Sequence, residues 1–225
     1  MTFNGVHVFA LKMGPPLSKT QWDALAVHLS TEEQMRVLKH KQWQDRQRAL
    51  LGNILVRWAL QKFTGMQHIH ITRNELGRPS LADNNYWNGD FNLSHAGEWI
   101  VVALTNQGHV GVDVEKIAEL HEDVMVYALA EAELQVIHQR AKSDQIQLFY
   151  TYWTMKEALF KTGLFPNATP QTLDTIAAND KRKDIHTQLV YIDQEHPVSI
   201  CWHGENSSSQ LTILDREQFI HSVSL

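Results

Sequence analysis

The feature that most constrains this chain is one arrangement that occurs twice, once in each half. Ala59-Leu60-Gln61-Lys62-Phe63-Thr64-Gly65 closes one long helical pattern, and Ala158-Leu159-Phe160-Lys161-Thr162-Gly163 closes another 99 positions on. The alternating run around Val6 and Val8 has a counterpart around Val110 and Val112, 104 positions on. Each half reads strand, then helices, then strands. The sequence therefore predicts an α+β fold of two similar lobes forming an internal pseudo-dimer, with antiparallel sheets packed against helices. The lobes are expected at residues 1–106 and 107–225, with a ligand site in the groove between them.

Local patterns fill in the order. Val6, Val8 and Ala10 alternate with their neighbours until the breaker Gly14-Pro15-Pro16. Trp22, Leu25, Ala26 and Leu29 recur at helical spacing, and Ser30 with Glu33 reads as a capping box opening a short helix that carries Met35 and Leu38. A longer helix is predicted from Asp45 to Phe63, with Gly65 as its stop. Strands are predicted at 68–72, 90–94, 99–105 and 109–115. Helical patterning returns at 120–140 and at 144–162, stopped by Gly163. Three more strands are expected at 185–192, 198–203 and 211–214, the last two joined by a turn at Asn206-Ser207-Ser208-Ser209.

Composition narrows the classes of function. With 225 residues, 43% apolar and 20% charged, the chain can build a core without staples. Lys and Arg number 20 against 25 Asp and Glu, a formal charge of -5, so there is no overall basic field and nucleic-acid binding is disfavoured. A small anionic ligand needs only a local convergence of cations. The single cysteine, Cys201, cannot form an internal disulfide and fits a reducing compartment. The first residues lack a secretory leader pattern, and apolar runs such as Trp99 to Leu104 are too short for a bilayer. The expectation is a cytoplasmic protein with no membrane partner.

Three constellations can carry chemistry. In Gly111-Val112-Asp113-Val114-Glu115, the strand period puts Asp113 and Glu115 on one face, where their mutual repulsion asks for a hard cation; the plainer reading is a solvated edge strand. Trp153-Thr154-Met155-Lys156-Glu157-Ala158-Leu159-Phe160-Lys161 places Glu157 and Lys161 four apart on one helix side, which alone is an ordinary surface ion pair. Beside Asp113 and Glu115, Glu157 would be a third metal ligand and Lys161 a donor to a phosphate oxygen. Phe91-Asn92-Leu93-Ser94-His95 does not form a nucleophile–base pair, because adjacent strand residues face opposite sides and no strained elbow surrounds the serine; both side chains can still donate to an anion. Gly77-Arg78-Pro79 is a turn whose arginine could reach a phosphate or stack on a purine. His68 and His70 lack further metal ligands at a known spacing, and Cys201 reads as core.

Taken in order, G-R-P (77–79), F-N-L-S-H-A-G (91–97), G-V-D-V-E-K (111–116) and W-T-M-K-E-A-L-F-K (153–161) resemble the 4'-phosphopantetheinyl transferase superfamily, in its two-lobed, surfactin-synthetase-activating type. Arg48 to Arg57 resembles that type's basic helix, and the likeness covers about residues 5 to 165. The resemblance implies a Mg²⁺-dependent enzyme, with Mn²⁺ as an alternative ion. It would move the phosphopantetheine arm of coenzyme A to a serine of an acyl carrier protein or peptidyl carrier domain and release 3',5'-ADP. By position, Asp113, Glu115 and Glu157 match the metal-binding carboxylates, with Asp113 also at the coenzyme, and Lys161 matches the lysine at the pyrophosphate. Arg36, Arg48, Gly77, Arg78, Pro79, Ser94 and His95 match coenzyme-holding positions. Glu33 stands where some members have lysine. Glu157, directly or through a metal-bound water, is expected to take the serine proton, with Lys161 as the second catalytic group.

The resemblance also implies an acidic carrier received on a local basic or apolar patch, part of it near the 119–140 helix. A monomer is expected, since two lobes of one chain would complete the site. The competing readings are a non-catalytic carrier- or coenzyme-binding paralogue and a Mg²⁺-dependent nucleotide phosphohydrolase.

Overall fold

A computed structural model describes residues 5–75, 77–82, 87–176, 184–204 and 208–223. The chain runs β1 (Val6–Lys12), α1 (Lys19–Ala26), α2 (Thr31–Lys39), α3 (Trp43–Thr64), β2 (Ile71–Arg73), β3 (Pro79–Leu81), β4 (Asp90–Ala96) and β5 (Trp99–Thr105). It continues with β6 (His109–Val114), α4 (Glu122–Ala128), α5 (Glu131–His138), α6 (Lys142–Lys161), β7 (Ile185–Asp193), β8 (His196–His203), β9 (Ser209–Leu214) and α7 (Arg216–Val223).

The duplication is visible in strand order. The first sheet is β4-β5-β1-β9 and the second β6-β8-β7. In each half the opening strand pairs antiparallel with the closing strand, which pairs antiparallel with the one before it. The sheets face each other between two long helices. Val6, Val8 and Ala10 of β1 and Trp99, Val101 and Ala103 of β5 pack on Val110, Val112 and Val114 of β6 and on Val198, Ile200 and Trp202 of β8. The opposite faces of β1 and β5, carrying Phe9, Leu11, Ile100, Val102 and Leu104, bury Leu50, Leu51, Ile54 and Leu55 of α3. The far face of the second sheet meets α6, where Ala158 and Leu159 pack on Cys201. Strands covered on both faces explain why β5 reads as an unbroken apolar run. Each buried Leu, Ile or Val contributes about 1.5–3 kcal/mol relative to exposure.

Local chemistry sets the helix ends. Ser30 and Glu33 form the expected capping box, Glu33 N–H to Ser30 Oγ at 3.3 Å and Ser30 N–H to Glu33 Oε2 at 2.9 Å. Gly65 closes α3 in the left-handed region (φ 73°), its N–H bonding Gln61 O.

Three expectations change. The strand expected at 68–72 forms only at Ile71–Arg73, pairing with Pro79–Leu81. The helix expected across 120–140 is two short ones, with Leu129 and Ala130 extended between them. The second lobe does not hold the whole stretch to residue 225, because β9 pairs parallel with β1 and α7 buries Phe219 and Ile220 in the first lobe's core. The turn expected at Asn206–Ser209 lies partly outside the described residues. Among the described residues no helix is long and apolar enough to cross a membrane.

One contact between the sheets is acid-sensitive. Asp193 accepts Trp99 Nε1–H at 2.7 Å and lies 2.7 Å from His196 Nδ1. Burial pushes its pKa up, but these hydrogen bonds and that from Glu195 N–H hold it at about 2. A depressed carboxylate stabilises the fold above its usual 3.8 and stops doing so as pH falls towards 2. Asp193→Asn should therefore lower the urea midpoint at pH 6, and the gap to the parent protein should narrow steadily as pH falls from 4 towards 2; a gap unchanged with pH would refute this.

Candidate active site

Between the lobes lies a cleft of about 800 Å³. Its walls bring together Arg36, Gly77, Arg78, Pro79, Ser94, His95, Asp113, Glu115, Glu157 and Lys161, from segments spread over more than a hundred positions. One acidic strand, one helix, the end of β4, the β2–β3 turn and α2 supply them.

The acidic wall is built by β6 and α6. Asp113 is 2% exposed. Its Oδ1 accepts from Lys161 Nζ at 2.6 Å and from Ser94 Oγ at 2.9 Å, while Oδ2 is buried without a hydrogen-bond partner. Burial pushes the Asp113 pKa up, against the pull of Lys161 and Ser94. Glu115, which accepts Trp153 Nε1–H at 3.1 Å, is pushed up to about 7 by burial and then by the charge of Asp113. Burial likewise raises Glu157, with Lys161 opposing and Asp113 adding. Three crowded carboxyl groups with raised pKa values and an orphaned buried oxygen fit a hard divalent cation, for which carboxylate oxygens are the preferred donors. As the side chains stand, no three His, Cys, Asp or Glu groups among the described residues are gathered tightly enough to be a ready-made metal cluster. Lys161 Nζ lies against Asp113 instead, 2.6 Å from its Oδ1.

The opposite end is cationic. Arg36 lies on the wall and pairs with Glu32 at 3.0 Å. Arg73 also lines this end; burial and then the neighbouring Arg36 lower its pKa, a crowding of cations that an anion would relieve. Glu33 lines this end too, as the largely buried partner of Arg57, bonded to it through both oxygens at 2.8 and 2.7 Å.

Two expected coenzyme contacts are already engaged. Arg78 donates to Asp90 Oδ2 at 2.6 Å, to Lys161 O at 2.9 Å and to Val110 O at 3.2 Å, tying the first lobe to the end of α6 and to β6. Arg48 is not on the cleft wall; its guanidinium bonds Asp45 and the Gly97 carbonyl. Gly77 takes φ +79° to close the β2–β3 turn.

Sequence reasoning passed over Arg73, Asn92 and Gly111. Arg73 stands in a three-residue strand with no pattern of its own. Gly111 shares the face of Asp113, two residues earlier, and a Cβ there would lie 2.0 Å from Ala158 O, 2.8 Å from Thr162 N and 3.0 Å from Lys161 C. These are backbone atoms of α6, which cannot swing aside. The glycine lets the helix end rest on β6, and so brings Glu157 and Lys161 over the acidic strand. Gly111→Ala should lower turnover about 100-fold by displacing these groups; wild-type rates would show that the close approach is dispensable.

A family model described as 4'-phosphopantetheinyl transferase, N-terminal, matches residues 16–107, and that of the 4'-phosphopantetheinyl transferase superfamily matches 109–221. The 4'-phosphopantetheinyl transferase gsp of Aneurinibacillus migulanus is 27% identical over 158 residues, 69% of this chain and 65% of that protein. Sfp of Bacillus subtilis (strain 168) is 26% identical over 158 residues, 69% of each chain. A further 4'-phosphopantetheinyl transferase of Bacillus subtilis is 26% identical over 213 residues, 92% of this chain and 91% of that protein. The matches and the cleft place the protein among the group-transfer enzymes. The chain belongs to the 4'-phosphopantetheinyl transferase superfamily, whose members transfer the phosphopantetheine arm.

Proposed function

We propose that this protein transfers the 4'-phosphopantetheine arm of coenzyme A to a serine of an acyl carrier protein or peptidyl carrier domain, with Mg²⁺ as its ion and 3',5'-ADP as leaving product. The observation that carries the reading is the junction, in one cleft, of Asp113, Glu115, Glu157 and Lys161 with the cations Arg36 and Arg73. A diphosphate needs charge compensation at its bridging and terminal oxygens, and the cleft offers both kinds of partner.

Asp113, through its free Oδ2, with Glu115 and Glu157, would hold the ion. When bound, Mg²⁺ or Mn²⁺ supplies the positive charge that offsets the carboxylates and draws electron density from the diphosphate. Lys161, whose side chain is 27% exposed at the end of α6, turns its ammonium to a phosphate oxygen. Arg36 and Arg73 bind the far anionic end of the coenzyme, with His95, Gly77 and Pro79 lining its path. Glu157 accepts the proton of the carrier serine as its oxygen bonds to the phosphorus that bears the pantetheine, and the bridging P–O bond breaks.

Both cleft walls come from one chain, which supports a monomer as the acting unit. Exposed Val124, Val126 and Tyr127 on α4 support part of the carrier contact there, beside Glu122 and Asp123. The test is the mass of a purified apo carrier protein after incubation with the protein, coenzyme A and Mg²⁺. A phosphopantetheine adduct is the expected result. An unchanged carrier with intact coenzyme, or hydrolysed coenzyme without an adduct, would overturn the reading.

A further inference from the structure

In the second sheet β6 has a strand partner on one side only, β8, and in the first sheet β4 is likewise an edge, paired to β5. The free edge of β6 lies against β4, yet no backbone ladder joins the two among the described residues. Side chains take its place. Val110 N–H donates to Asp90 Oδ2 at 2.8 Å, Val112 N–H to Asn92 Oδ1 at 3.0 Å, and Val114 N–H to Ser94 Oγ at 3.4 Å. Every rung spans the same offset of 20 residues. The intervening Phe91 and Leu93 pack into the α3 core, so β4 is apolar towards one lobe and a row of acceptors towards the other.

The apolar contact between the sheets is non-directional and would tolerate more than one register of Val110, Val112 and Val114. A slip of β6 together with its ladder partner β8 by two residues against the first sheet would keep every side chain on its face and carry Asp113 along by about 6.6–6.8 Å. The three acceptors distinguish these registers, because an N–H buried without a partner is costly. Asn92 is the central rung and is 3% exposed, so water does not replace it. The last rung joins the site: Ser94 Oγ also donates to Asp113 Oδ1 and accepts from Lys161 Nζ at 3.1 Å, leaving Asp113 Oδ2 as the oxygen without a partner.

We infer that this row of side-chain acceptors sets the seat of the carboxylate strand, and that Asn92 is a positioning residue for Asp113 and Glu115. Its consequence for turnover rests on the proposed transfer reaction; its structural content does not.

The test compares Asn92→Leu, of similar size without an acceptor, with Asn92→Ser, which offers a hydroxyl as Ser94 does to Val114. In Asn92→Leu the amides of residues 110–114 should exchange hydrogen faster while those of β1 and β5 stay protected. Affinity for Mn²⁺, used as the probe ion, and kcat should each fall about 10- to 100-fold. The Michaelis constant for coenzyme A should hold, and Asn92→Ser should restore all three losses towards wild type. Asn92→Ala carries the same measurements if Asn92→Leu does not fold. Wild-type exchange at 110–114, or wild-type Mn²⁺ affinity in a folded Asn92→Leu or Asn92→Ala protein, overturns the inference. A parent protein that transfers nothing overturns the proposed reaction, and the exchange comparison still decides the role of Asn92.

Discussion

Glu157→Gln is expected to slow transfer to the carrier serine by about 10²- to 10⁴-fold, the usual worth of a positioned general base. The affinity for 3',5'-ADP should be little changed. Glutamine keeps the shape of the side chain and removes its basicity. The Glu157 carboxyl group enters no hydrogen bond among the described residues, so the exchange breaks none, and it takes one negative charge from the set proposed to hold the ion. Without the ion, burial raises its pKa, opposed by Lys161 and assisted by Asp113, which favours its taking up a proton. The carrier's mass followed over time reads the rate, and calorimetry with 3',5'-ADP reads the binding. Unimpaired turnover would remove Glu157 from the chemistry.

The largest effect on stability is expected one residue earlier. Lys156 is 1% exposed and Glu133 fully buried, joined at 2.7 Å. Lys156 also donates to the carbonyls of Pro170 and Leu173 at 2.7 and 2.6 Å. Glu133 accepts from Thr175 N–H at 2.8 Å, Thr175 Oγ1 at 2.7 Å and Ala130 N–H at 2.8 Å. This pair ties α5 and the segment after α6 to the helix that carries Glu157. Lys156→Met leaves a carboxylate buried beside two carbonyls with no cation, and should cost about 3–5 kcal/mol. For a chain of this size that lowers the melting temperature by about 10 °C. Adding Glu133→Gln removes the stranded charge while keeping an acceptor for Thr175, and should recover part of the loss. Chemical denaturation of the two variants measures both. A single variant as stable as the parent would show that the ion pair is neutral to folding.

How far the fold could be read in advance follows from the range of the forces that shape each element. The long helices α3 and α6 were legible because a long helical pattern ended by a glycine is a local signal, as was the Ser30–Glu33 box. The placement of β2 was not: His68 and His70 alternate like a strand, but only Ile71–Arg73 finds a partner, and pairing is decided by β3. The terminal helix α7 has weak local signals and owes its place to Phe219 and Ile220 entering a core made by residues two hundred positions earlier. Glu33 was read as a departure at the coenzyme site; its buried partner Arg57, 24 positions away, accounts for it.

The residue string alone determined most of the order of strands and helices, which follows from the 2.0 and 3.6 residue periods of the backbone, together with the twofold arrangement and the motifs that carry the acids and the lysine. Only the tertiary structure decided which of those groups meet. Asp113 reaches Lys161 because Gly111 admits α6 against β6. The register of β6 depends in turn on acceptors 20 positions earlier, on a strand of the other sheet. Contacts of that range are set by packing and hydrogen-bond geometry between segments, which leave no period in the sequence to be read.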